Sequence, residues 1–277
     1  LGRDPIVAVT GATGQVGRAL REIAPAFRYF DRTGLDLEDI DQIREQLGSA
    51  DSVVHLGAMT DVDRCEREPE LAWRVNAVAT EAVAATGARI VYVSTDYVFD
   101  GDKTEPYVES DEPRPLNAYG RSKLHGERCV LGSGRGVVVR TSWIYGHGRN
   151  FVRTILGAAT THSHLHVVHD QVGRPTHAAD IAGAVLAALS DDTQGIVHLS
   201  GDGPPCSWAD LAEFALDCAG IDTSVEKVST ARYEEITQRP LAPRPANSLL
   251  SLERARTLGW PVGHWRDSVK SYVMEEQ

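Results

Sequence analysis

Ile6-Val7-Ala8-Val9-Thr10-Gly11-Ala12-Thr13-Gly14-Gln15-Val16-Gly17 is the stretch whose reading decides the fold. An apolar, β-branched run enters a glycine turn, and an apolar-periodic segment, Gln15–Ile23, follows at once. This is strand, turn, helix. The spacing is G-x-x-G-x-x-G rather than G-x-G-x-x-G, but the physics is shared. Glycines at Gly11, Gly14 and Gly17 permit a tight turn, close backbone approach to a pyrophosphate and close helix–strand packing. The helix N-terminus then turns unpaired N–H groups toward the phosphates. A turn that simply needs glycine is the bland reading. Placement between the first strand and the first helix favours dinucleotide binding, with Gly11, Thr13, Gly14, Gln15, Val16 and Gly17 as the contact set.

Outward from this turn the same rhythm repeats. Strands are expected at Ile6–Thr10, Phe27–Asp31, Ser52–Leu56, Arg89–Ser94, Val137–Thr141, Leu165–Val168 and Ile196–Leu199. Most are continuous apolar runs, the mark of parallel strands covered on both faces. Helices are expected at Gln15–Ile23, Ile40–Leu47, Glu70–Ala85, Tyr119–Val130 and Ala178–Leu189. The fold class is therefore α/β, a doubly wound parallel sheet of Rossmann type with a smaller C-terminal substrate lobe. After about residue 142 the rhythm loosens, and four of the five tryptophans lie beyond it (Trp143, Trp208, Trp260, Trp265). Residues 1–142, with 175–199 returning to them, are read as the dinucleotide domain; 143–174 and 200–277 are read as the substrate lobe.

The chain has 277 residues, is 42% hydrophobic and 24% charged, and has a mean hydropathy of −0.25. That is ample apolar material for a sizeable core. A formal charge of −11 argues against a nucleic-acid partner, which calls for a basic face. No apolar run reaches the ~18 residues of a membrane span. The first residues lack a charged region followed by an apolar stretch and a cleavage site, so no signal peptide is expected. Cys65, Cys129, Cys206 and Cys218 form no C-x-x-C pair, and reduced thiols in a cytoplasmic protein are expected.

Further cofactor contacts are expected along the carboxyl ends of the strands. Asp31 can accept from ribose hydroxyls and Arg32 can pair with a 2′-phosphate, so NADPH is expected with NADH also possible. Asp36 and Leu37 follow; Gly57 and Ala58 allow close approach of the nicotinamide ribose, and Thr60 lies just beyond. Tyr119 and Lys123 are four apart and share a helix face. A cation ~4 Å from a phenolate at a dielectric of ~20 is worth about 4 kcal/mol, or roughly three pKa units, less desolvation. A tyrosine exchanging its proton near neutral pH is expected. Thr95 could hydrogen-bond the same reacting oxygen.

Longer blocks carry a resemblance. They are Thr60-Asp61-Val62-Asp63-Arg64-Cys65-Glu66 with Val75-Asn76-Ala77, then Ser94-Thr95-Asp96-Tyr97-Val98-Phe99-Asp100-Gly101. Tyr119-Gly120-Arg121-Ser122-Lys123 and Arg140-Thr141-Ser142-Trp143-Ile144-Tyr145 follow. The series closes with Asn150-Phe151, Asp170-Gln171-Val172-Gly173-Arg174-Pro175-Thr176 and Arg244-Pro245-Ala246-Asn247-Ser248. In this order they resemble the extended short-chain dehydrogenase/reductase superfamily, and within it the dTDP-4-dehydrorhamnose reductase family. The resemblance implies a catalytic set of Thr95, Tyr119 and Lys123. It implies a hexose pocket with Asp96, Tyr97 and Trp143, and further substrate contacts at Asn150 and Arg174. The substrate would be a dTDP-linked 4-keto-6-deoxyhexose, handled by a monomer or homodimer. Superfamily dehydratases carry Asp-Glu after the catalytic threonine; Tyr97 follows Asp96 here, which argues against dehydration. The same resemblance leaves room for an epimerase of the superfamily or a non-catalytic NADP-binding subunit.

Three features have simpler readings. His162, His164, His166 and His169 surround a strand, and solvated edge histidines are expected rather than a metal site. Asn76, polar within an apolar helix, is either a structural bridge or part of a proton relay. Arg174 and Arg244 are each a surface charge or a diphosphate ligand.

Overall fold

The computed structural model describes residues 3–276. Each strand of its main sheet coincides with one of the continuous apolar runs. In chain order the first half is β1 (Val7–Thr10), α1 (Gln15–Ile23), β2 (Arg28–Phe30), α2 (Ile40–Leu47), β3 (Ser52–His55), α3 (Val62–Arg67) and α4 (Pro69–Trp73). A π-helical turn (Arg74–Val78) joins α4 to α5 (Ala79–Ala84), followed by β4 (Arg89–Thr95), α6 (Ala118–Gly132) and β5 (Gly136–Thr141). Then come β6 (Ile144–Tyr145), α7 (Phe151–Ala159), β7 (His164–Val168), β8 (Val172–Gly173), β9 (Thr176–His177), α8 (Ala178–Ser190) and β10 (Gly195–His198). The chain ends with β11 (Cys206–Ser207), α9 (Trp208–Ala219), β12 (Ser224–Val228), α10 (Thr230–Thr237), α11 (Glu253–Thr257) and α12 (Trp265–Glu275).

Six parallel strands make one sheet in the order β10-β5-β4-β3-β1-β2. Both faces are covered, which is why the runs do not alternate. One face packs Val9, Val54, Val91 and Val139 against α1 and α8. The other packs Ala8, Val53, Ile90 and Val138 against α2, α5 and α6. Strand order reverses about β1, so the crevice outside the carboxyl ends of β1 and β3 is the place where such sheets bind ligands.

Helix starts follow local chemistry. Asp39, Asp61, Asn117 and Asn150 cap α2, α3, α6 and α7 through side-chain oxygens, and Ser207 closes a capping box with Asp210 on α9. α1 has Gly14 as its N-cap and no side-chain cap, so its first amides stay available.

One expectation is corrected here. The helix expected over Glu70–Ala85 is interrupted by the π turn, an insertion that brings the Asn76 side chain against the loop after β3. The strand expected at Leu165–Val168 stands outside the main sheet and pairs in parallel with β12. Around that pair, α7, α9 and α12 pack on one another through Phe151, Leu211, Leu216 and Val269. Among the described residues, no helix is long and apolar enough to cross a membrane.

Candidate active site

A cleft of about 760 Å³ opens at the carboxyl ends of β1 to β4. Its floor is the glycine turn. A Cβ on Gly11 would lie 2.7 Å from the Gly57 amide nitrogen, and one on Gly17 would lie 2.4 Å from the Gly11 carbonyl oxygen. Gly11 also has φ +71°. Only glycine lets this backbone close on itself while α1 presents uncapped amides to the cleft. Gln15 Oε1 is buried here without a hydrogen-bond partner.

Every cofactor-side residue expected from sequence lines this cleft: Gly11, Thr13, Gly14, Gln15, Val16, Gly17, Asp31, Arg32, Asp36, Leu37, Gly57, Ala58, Thr60, Tyr119 and Lys123. Asp31 Oδ1 accepts from the Thr33 and Gly34 amides and from the Thr33 hydroxyl. These bonds, the Thr33 hydroxyl foremost, hold its carboxyl below the usual range. Three arginines and a histidine that sequence reasoning missed as cleft residues also reach the cleft or its rim: Arg18, Arg64, Arg149 and His147.

Tyr119 and Lys123 sit on α6, whose start is fixed by Asn117 accepting from the Gly120 amide at 2.8 Å. Gly120 is needed because a Cβ there would strike the Tyr97 carbonyl oxygen at 2.1 Å. Lys123 is 3% exposed; its Nζ donates to the Val93 carbonyl at 2.8 Å and stands 4.0 Å above the Tyr92 ring. Burial brings the lysine pKa down to about 7, partly opposed by the Glu127 carboxylate. Tyr119 opens onto the cleft, yet protein crowds its hydroxyl, and burial pushes the phenol well above its ordinary range, with Asp96 adding to the rise. This corrects the electrostatic expectation: Lys123 does not bring Tyr119 near neutrality, because its ammonium is spent on Val93 and Tyr92 and is itself weakened by burial. A phenol held this way keeps its proton at physiological pH, which suits a donor.

Thr95 ends β4. Its hydroxyl donates to Asp96 Oδ1 at 3.1 Å and accepts from the Tyr97 amide at 3.1 Å. Burial lifts Asp96 to about 7, against the pull of the Ser248 and Thr95 hydroxyls. The Tyr97 ring meets Tyr119 edge-on at 6.0 Å.

A family model described as RmlD substrate binding domain matches residues 6–277. The chain is 38% identical over 281 residues to the spore coat polysaccharide biosynthesis protein SpsK of Bacillus subtilis, covering 97% of each. It is 38% identical over 290 residues to the dTDP-4-dehydrorhamnose reductase of Sinorhizobium fredii, covering 96% of each. The chain belongs to the dTDP-4-dehydrorhamnose reductase family. The crystal structure of dTDP-4-dehydrorhamnose reductase from Bacillus anthracis in complex with NADP is similar throughout. It has a TM-score of 0.91 at 33% identity, covering 99% of this chain and 100% of that one.

Other residues expected in a dTDP-4-dehydrorhamnose reductase site have different surroundings. Asn150 caps α7 through its side-chain carbonyl, and its amide donates to Gly146 O, Gly148 O and the Tyr272 hydroxyl. Every polar atom is engaged within the fold, and the residue is not on the cleft wall. Trp143 does not line the cleft either. It adopts φ +48°, stacks on Trp208 at 3.6 Å, and fills the space beside Gly173. Arg174 is 9% exposed and carries a buried Nε without a partner, next to the Gly201 carbonyl. Asn76 is a bridge: its side chain bonds both polar atoms of the Met59 backbone and the Ser122 hydroxyl.

Beneath the dTDP-4-dehydrorhamnose reductase motifs lies a buried ion pair that sequence reasoning missed. Glu127 accepts from Arg140 at 2.9 Å and 2.7 Å and from the Ser94 hydroxyl at 2.6 Å. His198, neutral because burial lowers it to about 3, meets Arg140 at 3.4 Å. This network ties the ends of β4, β5 and β10 together beneath Thr95 and Lys123.

Proposed function

We propose that this chain reduces the C4 ketone of a dTDP-linked 4-keto-6-deoxyhexose with NADPH as reductant. The observation that carries the reading is the presence of Tyr119 and Lys123 on the same cleft as the uncapped glycine turn, in a chain matching dTDP-4-dehydrorhamnose reductases along nearly its whole length. The residues present fit the dinucleotide: the glycine cradle admits no side chain, the first amides of α1 are free for phosphate, and Gln15 Oε1 lacks a partner.

In this reading the glycine turn and α1 hold the pyrophosphate, and Asp31 and Arg32 flank the adenosine ribose. Arg32 favours the 2′-phosphate of NADPH; the ionised Asp31 keeps NADH usable. The bound nicotinamide supplies the hydride. Tyr119 delivers its phenolic proton to the oxygen that was the sugar ketone, so hydride plus proton convert C=O into CH–OH. Lys123 orients the nicotinamide ribose, and the Thr95 hydroxyl supports the developing alkoxide. Asp96 and Tyr97 flank the hexose. Arg174, with an unpaired buried Nε, is the candidate contact for the nucleotide diphosphate. The substrate lobe is built from 143–174 and 200–277.

The test is NADPH oxidation with dTDP-4-keto-6-deoxy-L-mannose, followed by NMR of the product made with 4-deuterated NADPH. Deuterium at sugar C4 is expected. Tight NADPH binding without oxidation by this ketosugar would overturn the reading.

A further inference from the structure

β7 carries two histidines, His164 and His166, and neither lines the cleft. β7 pairs in parallel with β12, with His164 opposite Ser224 and His166 opposite Glu226. Leu165 and Val167 turn inward against Ala212 and Leu216 of α9. By strand alternation His164, His166, Ser224 and Glu226 share the outer face. There Glu226 Oε2 lies 3.0 Å from His164 Nε2 and 3.3 Å from His166 Nε2. One donor atom from each of the three residues lies within 4.8 Å of the other two.

Hydrogen bonding sets the lone pairs. The Ser224 hydroxyl has a single proton, which it donates to the Ser163 carbonyl at 3.1 Å. It must therefore accept from His164 Nδ1, 2.8 Å away. Neutral His164 then carries its proton on Nδ1 and turns the bare Nε2 toward a carboxylate oxygen. Two lone pairs facing at 3.0 Å repel unless a cation stands between them. A proton satisfies one such pair; a divalent ion satisfies all three ligands at once. Zinc bonds of ~2.0–2.2 Å to nitrogen and oxygen give tetrahedral edges of roughly 3.3 Å. The two nitrogen–oxygen separations are already near that length.

We propose that His164, His166 and Glu226 bind one zinc-class divalent ion, with Ser224 orienting His164 and water completing the coordination. Two imidazoles and one carboxylate suit Zn²⁺, Co²⁺ or Ni²⁺ rather than Mg²⁺ or Ca²⁺. The ion would clamp β7 to β12 across their shared face. None of its ligands lines the cleft, so it is a structural clamp and not part of the reduction.

The test is calorimetric titration of chelator-treated protein with Zn²⁺, together with the absorption spectrum of the Co²⁺ form. One site per chain is expected, lost in His166→Ala and in Glu226→Gln. Ser224→Ala should weaken it about 10–100-fold. Zn²⁺ should raise the melting temperature of the wild type but not of the ligand variants, with turnover unchanged. A second group, Glu81, His125 and Cys129, also brings donor atoms within 4.8 Å, so His125→Ala is the control. Zinc binding that survives both ligand variants, a Co²⁺ spectrum with a thiolate charge-transfer band, or no binding at all would overturn the proposal. If His166→Ala fails to fold, Glu226→Gln decides, since it keeps the side chain's size.

Discussion

Tyr119→Phe deletes one hydroxyl and leaves the ring that meets Tyr97 edge-on. Fold and NADPH affinity should persist while turnover falls ~10²–10⁴-fold. Steady-state turnover with fluorescence titration of NADPH checks this, and retention of more than about a tenth of wild-type turnover excludes Tyr119 as the acid, given the ~10²-fold minimum loss. Lys123→Met should lose both turnover and NADPH affinity, and it has a pH signature of its own. The lysine titrates at about 7 in the folded chain and at ~10.4 unfolded. Between those values the unfolded chain binds more protons, so wild-type stability rises with pH; the cost of burying the amine is fully present below about 7. Lys123→Met removes that cost. Its melting temperature should gain on the wild type as pH falls from about 10 to about 7 and then level off. A difference independent of pH would show that the buried amine titrates normally. At this scale the residues that line the cleft were readable because they are local: a glycine turn, a strand end, an i, i+4 pair. Glu127 and Arg140 were not, since nothing in either residue's neighbourhood announces that a helix and the following strand bring them into contact. Asn150 was readable in another way, because an asparagine just before an apolar helical stretch is a cap signal.

Among the elements, the bounds of α1 and α2 are the ones expected, because a glycine turn and an aspartate cap mark their starts. The π turn at Arg74–Val78 left no trace, since one inserted residue barely disturbs an alanine- and valine-rich pattern. The two-residue strands β6, β8, β9 and β11 are shorter than any period can reveal. Gly17→Ala tests the tightest element contact. Its methyl would meet the Gly11 carbonyl at 2.4 Å, so both melting temperature and NADPH affinity should fall. Gly157→Ala is the counterpart: nothing lies within 4 Å of its added methyl, and it sits within α7. It should stabilise by about 0.5–1 kcal/mol in a denaturant melt, with turnover unchanged.

For the whole molecule, the alternation of strand and helix carried the architecture as far as β5, and α8 and β10 rejoin that alternation. The pairing of β7 with β12 could not be foreseen, because its partners are about sixty residues apart and neither run is continuous with the main sheet. NADPH should act on the molecule as a unit. At about 100 times its dissociation constant a ligand adds about 2.7 kcal/mol of stability. For a chain of this size that corresponds to a rise in melting temperature of roughly 5–10 °C. NADH at the same concentration should raise it less, and Arg32→Ala should narrow the gap between the two. Equal shifts in the wild type would remove Arg32 from cofactor selection.

Trp143 and Trp208 stack at 3.6 Å with their planes 12° apart. Trp143 lies at the exit of β5 and Trp208 opens α9, and both pack in one apolar cluster with Val152 of α7 and Val269 of α12. Indoles this close exchange excitation, so their circular dichroism bands split into a couplet of opposite signs. The size and sign of that couplet follow the angle and offset between the rings. Among the described residues, Trp73 meets His125 at a tilt and Trp265 meets Phe214 edge-on, so neither adds a stacked indole pair. The chain thus carries an unlabelled optical gauge of how the exit of β5 sits against α9, readable during turnover without adding a dye.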